Sequence, residues 1–300
     1  MKEFDKKDII GQDLDFSKYI SELVAQLKDD KDVYDSLKPF NFSVKEVKDN
    51  IAKLTEYKDD FNYCKNCPGI NKCEKNNPLT SVRIVKEGNY VNLQLSPCKK
   101  MVEKMEIDSH YICSDFPDEW KSYSLSELDL NTNNRRLIIK NFKDILNNSG
   151  HWMYLKGSKR VGKSFILVIL ANQFISSGYG KVAVASFPKL VSFLADLSYK
   201  YKNDFNNQMN ILSNVPLLIL DNFGDEYKNE YIRDTIVIPL LNERVSKKLP
   251  TFFASEFSIK DVCSMYNVGK VSGSIRAKQL QNILVSMCEK EIDLGETSIY

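Results

Sequence analysis

The sequence predicts an α/β fold, a parallel sheet flanked by helices, preceded by a small helical unit with a cysteine cluster. Three observations carry that expectation. The glycine-bearing stretch Gly157 to Ser164 lies between an apolar strand-like run and an apolar helical run. After it, strand candidates at 151–155, 181–187, 215–221 and 250–255 alternate with helical patterns, the order that builds parallel βαβ units. Before it, apolar residues repeat at helical spacing and cysteines bracket an alternating segment.

Taken in order, Tyr19, Ile20, Leu23 and Leu27, then Val44, Val47, Ile51 and Leu54, share the helical period, so a small bundle is expected from Phe16 to Tyr57. Val82 and Ile84, then Val91, Leu93 and Leu95, alternate on either side of Glu87-Gly88-Asn89, the pattern of a β-hairpin. Cys64-x2-Cys67-x5-Cys73 and Cys98 enclose this hairpin. Four such thiolates suit one tetrahedral zinc, because a close pair leaves one tight turn toward the same ion. His110-x2-Cys113 is a competing second pair, and free thiols are the plain alternative. Cys263 and Cys288 read as packing positions. The expected division is an N-terminal domain at 1–110, a polar linker containing Pro117 at 111–135, and a second domain at 136–300. Glu291 to Leu294 could add an edge strand.

A chain of 300 residues with 43% hydrophobic and 27% charged residues is neither disordered nor fibrous. Its net charge of +2 excludes a wholly basic nucleic-acid binder and leaves only local patches for that role. Met1 to Ile10 mixes lysines and acids without the apolar centre of a secretory leader, and the longest apolar runs fall far short of a bilayer. A cytoplasmic protein that does not span a membrane is expected, and its seven cysteines then suggest metal or thiols rather than disulfides.

The chemistry centres on Gly157-Ser158-Lys159-Arg160-Val161-Gly162-Lys163-Ser164. The glycines let backbone N–H groups turn inward toward phosphate, Lys163 reaches the β/γ oxygens, and the Ser164 hydroxyl suits Mg²⁺. Val215 to Asp221 reads as a buried strand that ends in a carboxylate, placed to hold the same ion. ATP and Mg²⁺ are therefore the expected ligands. Tyr199-Lys200-Tyr201-Lys202, with Phe205 behind, interleaves rings and cations as single-stranded nucleic acid requires, although half-exposed helix faces carry such residues too. His151, alone at a strand start, reads as structural.

Asp221-Asn222-Phe223-Gly224-Asp225-Glu226, Tyr231-Ile232-Arg233-Asp234 and Leu249-Pro250-Thr251-Phe252-Phe253-Ala254-Ser255 resemble the bacterial helicase-loader ATPases, the primosomal DnaI/DnaC group of AAA+ proteins. The cysteine module resembles the DnaI branch, since the DnaC branch lacks one. The resemblance favours Cys64, Cys67, Cys73 and Cys98 as the zinc ligands. It also implies an ATP-dependent loader that contacts the hexameric replicative helicase (DnaB type) through its N-terminal domain, acts on single-stranded DNA alongside other primosome proteins, and oligomerises through its ATPase domain. A neighbour's arginine would complete each site, with Arg244 the first candidate and Arg276 the second. A transposition-associated ATPase is a more distant rival, which the cysteine module disfavours.

The departures from that pattern are chemical. Asn222 stands where a second acid normally positions the attacking water, and it cannot take a proton. Glu256 stands where the family has a polar γ-phosphate sensor, normally asparagine, and a carboxylate is repelled by phosphate. Ser274-Ile275-Arg276-Ala277-Lys278-Gln279 offers Arg276 and Lys278 without a clean match to the family's nucleotide-facing arginine. These changes favour ATP binding with slow hydrolysis, with Asp225 or Glu226 as acids that could restore some activity. The alternative function is a non-hydrolysing ATP-binding adaptor.

Overall fold

Apolar spacing in the first third of the chain is realised as short helices around a hairpin. The computed structural model describes residues 16–88, 90–129, 131–147, 151–269 and 272–296. Met1 to Ile10, and Asn89 of the expected hairpin turn, lie outside them. The chain divides into two units, Met1–Met105 and Glu106–Tyr300. In the first, α1 (Phe16–Asp29), α2 (Lys31–Leu37), α3 (Val44–Asp49) and α4 (Ile51–Lys65) precede the strands β1 (Thr80–Glu87) and β2 (Tyr90–Pro97). The strands pair antiparallel from Thr80↔Pro97 to Glu87↔Tyr90. Leu27, Val33, Leu54, Ile84 and Val91 form one core between helices and hairpin, which is why the two apolar periods meet in a single unit.

α5 (Lys99–His110) follows, and the division between the units falls within it. The second unit contains β3 (Tyr111–Ser114), α6 (Asn133–Asn147), β4 (Met153–Lys156), α7 (Lys163–Ser176), β5 (Val182–Ser186), α8 (Phe187–Lys200), α9 (Lys202–Asn214) and β6 (Leu217–Asp221). A π-helical segment, Ile232–Val237, leads into α10 (Ile238–Ser246), then β7 (Thr251–Ser255), α11 (Ile259–Met265), α12 (Gly273–Met287) and β8 (Glu291–Asp293). The strands form one sheet in the order β3-β5-β6-β7-β4-β8, and all its pairs are parallel.

This is the expected α/β architecture, and the predicted strand positions are all occupied. Alternate residues of each strand enter cores on opposite faces: Tyr154, Leu218, Leu220 and Phe253 on one, Leu155, Leu217, Ile219 and Phe252 on the other. Burial on both faces explains why these strands read as unbroken apolar runs. α7 is buried along most of its length, from Ile166 to Ile175. Residues 111–135, expected as a linker, instead contribute edge strand β3 and two 3₁₀ turns, Asp118–Ser122 and Leu125–Glu127. Phe116, Trp120, Leu125 and Leu128 pack against the core.

Candidate phosphate-binding site

Parallel pairing puts the C-terminal ends of β4, β6 and β7 at one edge of the sheet, where the candidate residues meet. The chain leaves β4 at Lys156, passes through the glycine-bearing loop, and enters α7 at Lys163. Gly162 precedes the helix with φ 89°, a left-handed conformation that glycine adopts without steric cost. Arg160 (φ 64°) is also left-handed. The first half of the loop is anchored by backbone bonds: Gly157 N–H donates to Ser255 O at 3.2 Å and Ser158 N–H to Gly295 O at 3.0 Å. The second half presents the N-terminus of α7, whose unpaired amides and dipole favour an anion.

Lys163 folds over this loop and donates from Nζ to the carbonyls of Gly157 and Ser158, each at 2.7 Å. Burial lowers its pKa, against the pull of the Glu256, Asp221 and Asp225 carboxylates. Ser164 Oγ donates to Asp221 Oδ1 at 2.9 Å. Burial pushes the Asp221 carboxyl up, opposed first by that hydroxyl. A hydroxyl and a carboxylate are thus already in contact beside an ammonium and a helix N-terminus. The arrangement can hold a polyphosphate together with a divalent cation.

The turn after Asp221 separates its acids. Asn222 is exposed, with φ 55°, a conformation asparagine tolerates better than most residues. Gly224 (φ 103°) is required twice over, because an added Cβ would also sit 2.9 Å from Phe257 and Val262. Asp225 is exposed. Glu226 is buried and holds the turn: its Oε2 accepts Gly224 N–H at 2.7 Å and its Oε1 accepts the Tyr266 hydroxyl at 2.6 Å. It is therefore not an acid free for catalysis, and nothing in its spacing distinguished it from Asp225. Glu256 follows β7 and faces the loop, with Oε1 3.3 Å from Lys159 Nζ.

Arg244 corrects an expectation. It is fully buried, not presented to a neighbour. Its guanidinium donates to Thr251 Oγ1 and to the carbonyls of Leu212, Val215 and Pro250 at 2.6–2.9 Å. Burial lowers its pKa to about 9, so it remains charged at neutral pH. Arg276 is the exposed one, on α12, 3.9 Å from Asp234 and bonded to Gln279. Arg233, singled out only as part of a sequence pattern, is buried and pairs with Asp234 through two 2.8 Å bonds.

In the first unit, Cys64, Cys67, Cys73 and Cys98 line one small cavity of about 50 Å³. Burial raises the Cys64 thiol, whereas the backbone N–H groups of Leu79 and Lys75 lower that of Cys73. Lys75 Nζ lies 3.5 Å from Cys64 Sγ and is paired with Asp60. As placed, no group of three or more His, Cys, Asp or Glu side chains among the described residues could hold a metal ion. The competing pair is engaged elsewhere: His110 Nδ1 lies 2.7 Å from Glu106 O, and Cys113 Sγ meets Val184 O at 3.6 Å in the sheet. Tyr199 to Lys202 spans the junction of α8 and α9, with Tyr199 94% and Tyr201 60% exposed. Phe205 instead packs on the core.

No family model matches the chain. It is 25% identical over 265 residues, 81% of its own length and 81% of the relative's, to the replicative helicase loader DnaI of Bacillus subtilis (strain 168). This chain is similar to DnaI. A solved DnaI structure superposes with a TM-score of 0.53 at 25% identity, covering 63% of this chain and 96% of that one. The DnaI likeness agrees with the resemblance read from Asp221 to Ser255. Among the described residues, no helix is long and apolar enough to cross a membrane.

Proposed function

We propose that this chain is an ATP-dependent loader of a replicative DNA helicase, acting at replication initiation or restart. The observation that carries the proposal is the DnaI likeness over 81% of both chains, joined to a site where Lys163, Ser164 and Asp221 converge. The loop from Gly157 to Ser164 would hold the triphosphate, and Ser164 with Asp221 would hold Mg²⁺, which screens phosphate charge when bound. The donor set fits that ion, because a hydroxyl and a carboxylate oxygen lie 2.9 Å apart beside the loop. Lys163 would exchange its two carbonyl partners for phosphate oxygens.

Finer parts of the same reading rest on chemistry. The four thiols line one cavity, and four thiolates are the donor chemistry of a structural zinc, although they would have to draw together from their present placement to bind one; Cys64, Cys67, Cys73 and Cys98 would then hold it, and it would stabilise the first unit. Tyr199, Lys200, Tyr201 and Lys202 would meet single-stranded DNA by stacking and charge. With Arg244 buried, Arg276 is the arginine left to act across a subunit boundary in an oligomer of ATPase domains. The domain at 1–110 would hold the helicase.

Capture tests the function directly. The full chain should retain its cognate replicative helicase in a pull-down with ATP, and a chain lacking residues 1–110 should not. Absence of any complex with the full chain would end the proposal.

A further inference from the structure

β7 lies between the loop-bearing strand β4 and the Asp221-bearing strand β6. Its end is stitched to both neighbours. Gly157 N–H donates to Ser255 O on one side, Phe223 N–H to Ala254 O at 2.9 Å on the other, and Ser255 Oγ donates to Phe223 O at 2.6 Å. The next residue, Glu256, therefore leaves the sheet between the loop and the Asp221 turn. Its side chain is 29% exposed, with the carboxylate 3.3 Å from Lys159 of the loop, and it acts on Lys163 together with Asp221 and Asp225.

The other candidates for proton transfer are weaker. Asn222 has no basic oxygen to offer. Glu226 is committed to Gly224 and Tyr266. Asp225 is exposed in the turn. We propose that Glu256 is the general base of ATP hydrolysis in this chain, placed on the strand tip between the two phosphate-site strands instead of beside Asp221. The inference rests on the nucleotide reading above and goes beyond it by assigning the step that Asn222 cannot perform.

As the water oxygen bonds to the γ-phosphorus, its proton passes to a Glu256 carboxylate oxygen. The bond from that phosphorus to the β–γ bridging oxygen breaks, ADP leaves with the electron pair, and Glu256 returns the proton to solvent. Phosphate entering the loop competes with Glu256 for Lys159, which exchanges one anionic partner for another and frees the carboxylate to meet water. Repulsion between Glu256 and the γ-phosphate is opposed by the Lys159 and Lys163 ammonium groups, so the same carboxylate weakens ATP binding while it serves turnover.

The test measures steady-state ATP turnover with Mg²⁺, and calorimetric affinity for ATP and ADP, on the full chain and on Glu256→Gln, Glu256→Asp and Asp225→Asn. Glu256→Gln should lose about 10²-fold or more in turnover, the usual scale of a general base. It should bind ATP at least as tightly as the parent. Glu256→Asp should restore part of the rate, and Asp225→Asn should lose far less turnover than Glu256→Gln. The inference is overturned if Glu256→Gln turns over like the parent, if Asp225→Asn is the variant that stops, or if the parent binds ATP without hydrolysing it. Failure of the parent to take up either ATP or ADP would overturn the nucleotide reading itself.

Discussion

Arg244 shows how far residue identity falls short of role. An arginine near the end of an amphipathic helix reads as a surface cation, yet here three backbone carbonyls and one hydroxyl use its donors inside the core. Replacing it with methionine keeps much of the volume but takes the donor from the Leu212 and Val215 carbonyls and from Thr251 Oγ1, while Pro250 O keeps the Leu218 N–H. Each buried unpaired group costs about 1–3 kcal/mol, so Arg244→Met should lower stability by about 3 kcal/mol or more in urea unfolding. A variant that unfolds like the parent and loses only activity would restore the intersubunit role. By contrast, that Ser164 of the loop and Asp221 would meet beside Lys163 was readable from the spacing of their residue types, the pattern a phosphate cradle would need. Glu226 was not, since its partners Gly224 and Tyr266 are set by folding.

At the level of elements, α7 was legible because a helix apolar on nearly every face has to lie inside. β3 was not: its residues Tyr111 to Ser114 become a strand only by pairing with Val182 to Val184 of β5, and so short a run has no period of its own. The π-helical segment before Pro239 was equally hidden, although a proline in a continuing helix removes an N–H and crowds the preceding turn. α3 yields a prediction. Its N-terminus carries a capping box, Ser43 with Glu46, and Lys86 on β1 pairs with Glu46 at 2.9 Å. Lys86, then the Ser43 amide and hydroxyl, hold the Glu46 carboxyl down at about 2 against the ordinary 4.5. A depressed folded pKa contributes stability that is complete above about 4.5 and is lost as pH falls toward about 2. An NMR pH titration should show the α3 amides shifting across that window, and Glu46→Gln should remove the transition; an unchanged transition in that variant would locate it elsewhere.

For the whole molecule, two units with separate cores should respond separately to perturbation. The first is small and carries the cysteine cavity, so metal would matter most there. Elemental analysis of the purified chain should find one zinc, released by joint Cys64→Ser and Cys67→Ser substitution. A chelator should unfold the first unit and abolish helicase capture while nucleotide uptake at Lys163 and Asp221 persists. A zinc-free chain with four readily titrated thiols that still captures helicase would refute this assignment.

The sequence by itself determined the α/β class, the loop at 157–164, the carboxylate at 221 and the cysteine spacing, because each depends on local residue type and period. Only the tertiary structure decided that Arg244 and Glu226 face inward, that 111–135 joins the sheet and core, and that Glu256 emerges between Gly157 and Phe223. Those outcomes depend on which strands become neighbours, and the parallel order β6-β7-β4 is set by long-range packing on both sheet faces, which no local pattern encodes.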